Sequence, residues 1–423
     1  MPNINFGGDR KVDAKKIWLV NQYAMPPVHE RRFQTLKRAQ YLSELGHQVT
    51  IISGSFLHNT DINLITNGDR YIEEEYDGIR FIYIKTNSYS TNGFRRVWNH
   101  LVFPIRFFRL FRKFEKPDVV CHLATVPFGN IIYFIAKRLK AKFIVDVVDL
   151  WPESFVTMGV VSKDNPLLKL AYWGERWLYE RADKLVFSME GGKDYIKEKG
   201  WDLDSGGSID LSDVHYINNG VDVEEFDRFK YNHVFDDSDL QNDKNFNVIY
   251  IGSIRLANNI RKLVEAAEVL RDFRQIKFLI YGDGEDRQSL EQYCKAKGLD
   301  NVIFKQRWVE SKYVPFILSH SSLNILNYFP NPIFRFGGSQ SKSFQYMASA
   351  KPILCNLTMG YCPITKNSIG IAREFKDAHE YSEAILHFVN LSQADYAKIC
   401  RNSRMLADSY DYKYLTGIFN SLL

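Results

Sequence analysis

The stretch 247-NVIYIGSIRLANNIRKLVEAAEVLRDFRQIKFLIYGDG-284 places a strand, a helix and a second strand in succession. Its two apolar runs, 247–253 and 276–284, are short and rich in strand formers, and the segment 259–273 between them is predicted to be helical. Near-continuous apolar strands that alternate with helices indicate a parallel sheet covered on both faces. The stretch therefore predicts a doubly wound α/β domain.

The same alternation continues along most of the chain. Further strands are predicted within 16–24, 48–53, 118–124, 142–150, 184–188, 301–308, 322–329 and 352–356, with helical segments between them. The predicted fold class is α/β, with two tandem doubly wound Rossmann-like domains that face a cleft.

Chain length and a change in composition suggest where the domains divide. A chain of 423 residues exceeds the usual size of one hydrophobic core. The run 227–246 is polar and acidic with little periodicity, as in a linker. We therefore predict an N-terminal domain over 1–226, a linker over 227–246 and a C-terminal domain over 247–405. The segment 406–423 is expected to pack back on the N-terminal domain.

Bulk composition limits the function classes. The net charge of +5 is too small for uniform nucleic-acid binding, so no nucleic-acid partner is expected. The five cysteines are odd in number and lack metal-ligand spacing, which argues against a disulfide framework or a zinc site. No secretory leader and no uninterrupted apolar run of membrane-spanning length are found, so a cytoplasmic protein is expected.

In open α/β sheets, ligands bind beyond the carboxyl ends of the strands. The turn at Gly252 and Ser253 leads to a helix start whose free N–H groups suit a phosphate, and Arg255 or Arg261 could add charge. The alternative is a plain turn with solvated arginines. For the single Gly-x-Gly at Gly282, a tight turn without a ligand is the simpler interpretation.

The stretch 339-SQSKSFQ-345 begins another helix with an unusually polar first turn. Ser339, Ser341 and Lys342 bring hydroxyl donors and an ammonium group to one point. The acid that would normally complement the helix dipole is missing, as an incoming anion would require. Serine capping with an exposed lysine is the alternative.

Two acids in 146-DVVDLWPES-154 follow a predicted strand. Asp149 and Glu153 could act as a general base or bind sugar hydroxyls. Capping of the next segment, which a proline often opens, is the alternative.

The segment 94–116 has an aromatic and a basic face on a helical wheel. This pattern suits an interfacial helix on anionic lipid, although an aromatic face docked on the sheet with a solvated basic face would give the same pattern. The predicted membrane contacts are Arg106, Phe107, Arg109, Phe111, Arg112, Lys113 and Phe114.

Together these elements resemble the retaining, nucleotide-sugar-dependent glycosyltransferases of the two-Rossmann GT-B architecture, glycosyltransferase family 4. The likeness is greatest to bacterial members that build O-antigen, capsule and exopolysaccharide. The matching motifs are 149-DLWPES-154, 175-ERWLYERADKLV-186, 216-YINNGVDVEEF-226, 281-YGDGEDRQSL-290 and 341-SKSFQYMASAKPIL-354.

The resemblance implies a nucleotide-sugar donor, UDP- or GDP-linked, held by the C-terminal domain, and an acceptor held by the N-terminal one. It implies transfer with retention, no cofactor and no metal held by an Asp-x-Asp motif. By position, Gly252 and the start of the 341 helix would hold the diphosphate, and Gln345 would contact the ribose. The base would lie near Arg307, Trp308 and the Gly282–Gly284 turn.

The sequence departs from the family pattern at several positions. The Glu-x7-Glu of many members is replaced by Gly337 and Gln345, and the histidine before the DLWP motif is replaced by Val148. The arginine and lysine that relatives place after the glycine turn align with Ser253 and Asn258. The usual Gly-Gly of the first loop is replaced by 26-PPVHERR-32. Arg255, Arg261 and Lys342 are the available cationic substitutes.

The sequence-based hypothesis is a glycosyltransferase that extends a lipid-linked saccharide at the anionic inner face of the cell membrane. Donor phosphates would meet Arg255 and Lys342, and Asp149 or Glu153 would orient the acceptor hydroxyl. Two rivals remain: a nucleotide-sugar epimerase on the same fold, and a degenerate, non-catalytic scaffold of a polysaccharide assembly complex.

Overall fold

The computed structural model describes residues 13–30, 33–89, 94–124 and 128–423. The chain forms two compact units. Unit 1 comprises Met1–Phe187, Ile196–His215 and Thr416–Leu423, and unit 2 comprises Ser188–Tyr195 and Tyr216–Leu415. Among the helices of the described ranges, none is long and apolar enough to cross a membrane.

Unit 1 is built on an eight-stranded sheet. Its strands are β1 (Lys16–Val20), β2 (Gln48–Gly54), β3 (Tyr71–Tyr76), β4 (Ile79–Ile84), β5 (Val119–Leu123), β6 (Lys142–Val147), β7 (Lys184–Phe187) and β8 (Val214–Tyr216). They lie in the order β3-β4-β2-β1-β5-β6-β7-β8, and the pairs from β4 through β7 are parallel, whereas β3 pairs antiparallel with β4. The direction of strand addition reverses between β1 and β5, which makes this the topological switch point.

The helices that precede the second sheet connect these strands. They are α1 (Gln34–Glu44), α2 (Phe94–Leu110), α3 (Asn130–Leu139), α4 (Glu153–Thr157), α5 (Pro166–Tyr179) and α6 (Gly192–Glu198). The next helix, α7 (Val223–Asn232), follows β8 and belongs to unit 2. The central strands are buried on both faces, as in β1, where Ile17 to Val20 are at most 3% exposed. Such burial explains why these strands have continuous apolar sequences.

Unit 2 has a fully parallel six-stranded sheet. Its strands are β9 (Phe246–Ile251), β10 (Ile276–Tyr281), β11 (Val302–Phe304), β12 (Leu323–Leu326), β13 (Ile353–Cys355) and β14 (Gly370–Ala372). The order β11-β10-β9-β12-β13-β14 reverses direction between β9 and β12, so a ligand crevice is expected beyond the carboxyl ends of these two strands.

The helices of the second half cover both faces of that sheet. They are α8 (Ile260–Val269), α9 (Arg287–Lys297), α10 (Val314–Ser319), α11 (Ser341–Ala348), α12 (Pro363–Lys366), α13 (Ala378–Val389) and α14 (Gln393–Asp408). The last helix, α15 (Tyr412–Asn420), runs into the C-terminal residues that belong to unit 1. Both units are Rossmann-like α/β domains with mainly parallel sheets, so the predicted fold class is confirmed.

The structure refines the expected boundaries. Helix α7 continues through Asn232, into the range 227–246 for which a linker was predicted, and Asp222 caps it by accepting a hydrogen bond from the Glu225 N–H at 2.9 Å. The last residues of the chain belong to unit 1. There, the guanidinium of Arg38 lies 4.5 Å from the centroid of the Phe419 ring.

The aromatic face of the 94–116 segment, formed by α2 and the turn that follows it, lies in the core of unit 1. Phe107, Phe111 and Phe114 are at most 6% exposed, and the Phe107 ring centroid is 5.6 Å from that of Trp18 on β1. The prediction that these phenylalanines contact a membrane is therefore wrong, because the sheet already covers them. The basic residues of the same prediction, Arg106, Arg109, Arg112 and Lys113, are exposed.

Candidate active site

Two glycine turns of unit 2 lie side by side at the carboxyl ends of β9 and β10. The Gly252 N–H donates to the Tyr281 carbonyl at 3.0 Å, and the Ile254 N–H donates to the Asp283 carbonyl at 2.8 Å. A Cβ at Gly282 would lie only 1.9 Å from the Gly252 carbonyl oxygen. The close approach of the two backbones therefore requires glycine at position 282.

The side chain of Lys342, at the start of α11, reaches the β9 turn. Its Nζ donates to the Tyr250 hydroxyl at 2.9 Å and lies 4.5 Å from the centroid of that ring. A Cβ on Gly252 would come within 2.3 Å of the same Nζ. Burial of the ammonium lowers the pKa of Lys342 to about 8. Among the described residues, no carboxylate forms an ion pair with Lys342, and burial alone shifts its pKa, so its charge is available to an anion.

The entrance of α11 has the features of an anion site. The N-cap residue Gln340 makes no side-chain capping bond, and the first turn contains no acid. The hydroxyl of Ser339, just before the helix, is buried and finds no hydrogen-bond partner within the described part of the chain. The start of α11 therefore combines the N–H groups and positive dipole end of a helix with the Ser339 hydroxyl and the nearby Lys342 ammonium. Ser341 is exposed and Gln345 is half-buried in the next turn.

Gly337 is where many relatives have the first glutamate, and its backbone conformation is unusual. With φ +94° and ψ −170°, it occupies a region that is essentially restricted to glycine. A glutamate at position 337 would strain this backbone conformation, so the observed loop requires the glycine that replaces the acid.

A residue that sequence reasoning missed, Glu190, lies beside Gly337. A Cβ on Gly337 would be 3.6 Å from the Glu190 backbone nitrogen, and the Gly191 N–H donates to the Phe336 carbonyl at 2.9 Å. The Glu190 carboxylate is 3.3 Å from the Lys366 ammonium. Because Glu190 is about 150 positions upstream in sequence, the only available signal was a polar loop after a strand.

Asn218 is a second residue that was not predicted. It is 6% exposed, and its Nδ2 donates to the Gly338 carbonyl at 3.2 Å and to the Tyr216 hydroxyl at 2.9 Å. Asn218 therefore fixes the loop that leads into α11. Its motif, 218-NNGVD-222, was noted only as part of the family resemblance.

Of the predicted base-binding residues, Arg307 contacts the Gly282–Gly284 turn, and Trp308 is its neighbour in sequence. Arg307 Nη1 donates to Asp283 Oδ1 at 2.8 Å, and the Trp308 side chain is among the exposed large apolar groups at 61%. An exposed indole beside a strand end offers a face on which an aromatic ring can stack.

The two predicted phosphate-binding arginines differ in placement. Arg255 is exposed on the turn that follows β9. Arg261 is instead bound along α8, where its Nε donates to Glu265 Oε1 at 3.0 Å and its guanidinium lies 4.6 Å from the Tyr293 ring centroid. These contacts argue against the predicted phosphate role of Arg261.

Asp149 and Glu153 belong to unit 1 and have different surroundings. Glu153 is 7% exposed, and its Oε2 accepts from Lys199 Nζ at 2.7 Å and from the Tyr172 hydroxyl. A carboxylate held in this way is poorly suited to take a proton from an acceptor, which argues against Glu153 as the general base. Asp149, just beyond β6, is exposed.

Within the described ranges, no group of three or more His, Cys, Asp or Glu side chains is arranged to hold a metal ion.

Two family models match the chain, one in each half. Residues 33–205 match the glycosyl transferase 4-like domain, and residues 234–404 match glycosyl transferases group 1. Together they cover about four fifths of the sequence. With its two Rossmann-like domains, the chain is therefore a glycosyltransferase of the GT-B class. A comparison with curated proteins finds no match.

Three solved structures illustrate the similarity in fold. A glycosyltransferase from Rickettsia africae is 18% identical with a TM-score of 0.63, covering 97% of this chain and 98% of that one. Anabaena HepE, solved in complex with UDP-glucose, is 13% identical with a TM-score of 0.63, covering 97% and 100%. WaaG, a glycosyltransferase involved in lipopolysaccharide biosynthesis, is 13% identical with a TM-score of 0.63, covering 96% and 99%. At sequence identities of 13% to 18%, these similarities establish a shared fold only.

Proposed function

We propose that this glycosyltransferase moves a sugar, with retention of anomeric configuration, from a UDP- or GDP-linked donor to a lipid-linked saccharide. The reaction would take place at the cytoplasmic face of a bacterial inner membrane, during synthesis of a surface polysaccharide. The involvement of the similarly folded WaaG in lipopolysaccharide biosynthesis supports the pathway by analogy.

The observation that carries the donor assignment is the cation at the start of α11. Lys342 has no carboxylate partner among the described residues, and it lies beside Gly252 and an uncapped helix N-terminus. A diphosphate would supply the missing negative charge. As the bond to the sugar breaks, charge builds on the departing diphosphate, and a preorganised ammonium with helix N–H groups stabilises it.

The nucleoside would extend from the diphosphate towards the Gly282–Gly284 turn. Gln345, in the second turn of α11, can accept a hydrogen bond from a ribose hydroxyl and can also donate one. Trp308 and Arg307 offer a stacking face and donors for the base. The complex of HepE with UDP-glucose favours uridine by analogy.

Glu190 is proposed to supply an acid beside Gly337, where family members carry a glutamate that touches the transferred sugar. Its backbone lies next to Gly337, and its carboxylate is near Lys366. Transfer would proceed without a bound metal, because Lys342 and the helix N-terminus provide the positive charge. Asp237 and Asp239, which have Asp-x-Asp spacing, both bind Lys305, at 2.7 and 2.6 Å.

On the acceptor side, Asp149 is the proposed residue that orients the acceptor hydroxyl and helps to remove its proton. It is exposed beyond the carboxyl end of β6, where a substrate can reach it. Glu153 is proposed instead to support this loop through its contacts with Lys199 and Tyr172.

The non-catalytic scaffold is favoured only by Gly337, Gln345 and Val148, which replace residues common in relatives. The epimerase would convert donor without an acceptor. Calorimetric titration with UDP, GDP and CDP, followed by incubation of the matching sugar nucleotides with bacterial lipid extracts, separates the possibilities. We expect tight binding of one nucleotide and sugar transfer to lipid. Binding of none would contradict the donor site, and conversion of donor without transfer would favour the epimerase.

A further inference from the structure

Unit 1 exposes an apolar patch that lies outside its core. It is formed by α4, α5 and the loop between them. We call it the α4–α5 patch, and its exposed residues are Phe155 at 38%, Met158 at 65%, Val160 at 66%, Leu167 at 70%, Leu170 at 62% and Trp173 at 60%. The two helices are neighbours, because the Tyr172 hydroxyl of α5 donates a hydrogen bond to Glu153 of α4. Groups of exposed apolar side chains mark interaction sites more often than ordinary surface.

Helix α5 is apolar on both sides. Leu168 and Leu178 are buried and fix its inner face on unit 1. Leu167, Leu170 and Trp173 recur at a spacing of three residues, which places them on one outward stripe. A surface helix normally carries polar residues on its outer face. The apolar stripe of α5 therefore indicates that this face contacts an apolar partner and not water.

The neighbouring helices add positive charge on the same side of the sheet. Helix α3 lies between α2 and α5, since the Arg138 guanidinium is 4.8 Å from the Phe108 ring centroid and the Phe134 ring is 5.6 Å from that of Trp177. Lys137 and Arg138 of α3 are exposed. Further exposed cations are Arg109 of α2, Arg112 in the turn that follows α2, and Lys169 of α5.

Acidic groups do not balance this charge. Helices α2 and α3 contain no acidic residue, and the single acid of α5, Glu175, is buried. Asp164, in the loop before α5, is next to Lys163. An apolar stripe with a tryptophan and a flanking cationic surface is complementary to an anionic bilayer, where side chains enter the acyl region and cations meet headgroups.

We propose that the α4–α5 patch docks this protein on an anionic lipid surface. Leu167, Leu170 and Trp173 insert among the acyl chains, and Lys137 and Lys169 contact the headgroups. The proposal deepens the proposed function and rests on its lipid-linked acceptor, which a membrane would present. It also replaces the buried aromatic face of α2 as the apolar element of membrane binding.

Sedimentation with vesicles tests the docking surface. Vesicles of equimolar phosphatidylglycerol and phosphatidylcholine are compared with vesicles of phosphatidylcholine alone. We expect the wild-type protein to bind the anionic vesicles at least about tenfold better. The variant Leu167→Ser/Leu170→Ser/Trp173→Ser should lose binding to about the same extent. The matched control Leu203→Ser/Met405→Ser removes exposed apolar groups elsewhere, at 56% and 70% exposure, and should bind as wild type.

Two further measurements localise the contact. Lys137→Glu/Lys169→Glu should abolish the preference for anionic vesicles. Brominated lipids quench indoles that enter the bilayer, so Trp173→Phe should remove most of the quenching observed with wild type. Trp308→Phe, an exposed tryptophan of unit 2, should leave that quenching unchanged.

Several results would overturn the proposal. The triple serine variant could bind vesicles as wild type does, or the wild-type protein could fail to bind while still transferring sugar from its donor. A wild-type dimer that the triple variant converts to a monomer in light scattering would identify a second copy as the occupant. Vesicle binding without any donor turnover would instead support the docking surface and contradict the proposed function.

Discussion

The ammonium of Lys342 occupies the space that a side chain at position 252 would need. A Cβ on Gly252 would lie 2.3 Å from the Lys342 Nζ, although the two residues are 90 positions apart in sequence. This relationship joins two motifs that were each ambiguous alone: a glycine turn after a strand and a polar helix start. Their proximity at the carboxyl end of β9 is the basis of the donor-site assignment.

The depressed pKa of Lys342 predicts a pH dependence for nucleotide binding. Because burial lowers this pKa to about 8, the free protein loses the charge as pH rises through that value. The diphosphate of UDP stays anionic over this range, so the affinity of UDP should fall about tenfold between pH 7 and pH 9 as the ammonium is lost. Calorimetry at a series of pH values measures this. Constant affinity up to pH 9 would contradict a role for the ammonium in phosphate binding.

Gly252→Ala should impair nucleotide binding more than it impairs folding. The new methyl group displaces the Lys342 ammonium, and the positive φ of +144° adds a backbone cost of about 1 kcal/mol. The control Gly206→Ala has a positive φ of +83° and no neighbour within 4 Å, so it isolates the backbone cost. We expect a loss of thermal stability in both variants but a loss of UDP affinity only in Gly252→Ala. Similar UDP affinities in the two variants would refute the contact.

Glu190→Gln should lower kcat while leaving UDP affinity unchanged. The proposed role of Glu190 is contact with the transferred sugar beside Gly337. Because UDP lacks that sugar, the affinity for UDP should not change. A fall of about a hundredfold in kcat is expected from the loss of one group that stabilises the transition state. Glu224→Gln, an exposed acid in the first turn of α7, serves as the control. Normal turnover by Glu190→Gln would remove this residue from the mechanism.

Substitutions of Asp149 and Glu153 should have different effects, because Asp149 is proposed to act on the acceptor and Glu153 to support the structure. Asp149→Asn is expected to reduce transfer strongly with little effect on stability. Glu153→Gln weakens a buried ion pair with Lys199, so unit 1 should lose about 1–3 kcal/mol of stability while the folded protein stays active. Urea unfolding and transfer assays on both variants test the division. The opposite pattern would reinstate Glu153 as the general base.

Sequence patterns predicted most of the fold because buried parallel strands have continuous apolar sequences. The strands of 247–284 and the helix between them are observed close to their predicted positions. The antiparallel hairpin of β3 and β4 was not predicted, since Glu73 to Glu75 make its outer strand polar. Helix α2 shows the limit of periodicity: an aromatic stripe has the same sequence whether it faces a sheet or a lipid.

Candidate residues on one contiguous motif were easier to find than residues that meet only in three dimensions. Gly252 and Lys342 were identified because glycine turns and helix starts have local signatures. Glu190 and Asn218 were missed, since each reaches the α11 loop from a distant part of the chain. The engagement of Arg261 with Glu265 and Tyr293 also depends on side-chain placement that residue types alone do not reveal.

The most direct test of the central claim is calorimetric titration of UDP, or of whichever nucleotide binds best, into wild-type protein and Lys342→Ala. Loss of a charge-assisted contact to the diphosphate should cost about 2 kcal/mol, or about thirtyfold in Kd. The control Arg261→Ala, a nearby cation bound to Glu265, should retain wild-type affinity. If Lys342→Ala binds the nucleotide as tightly as wild type, the diphosphate does not lie at the start of α11.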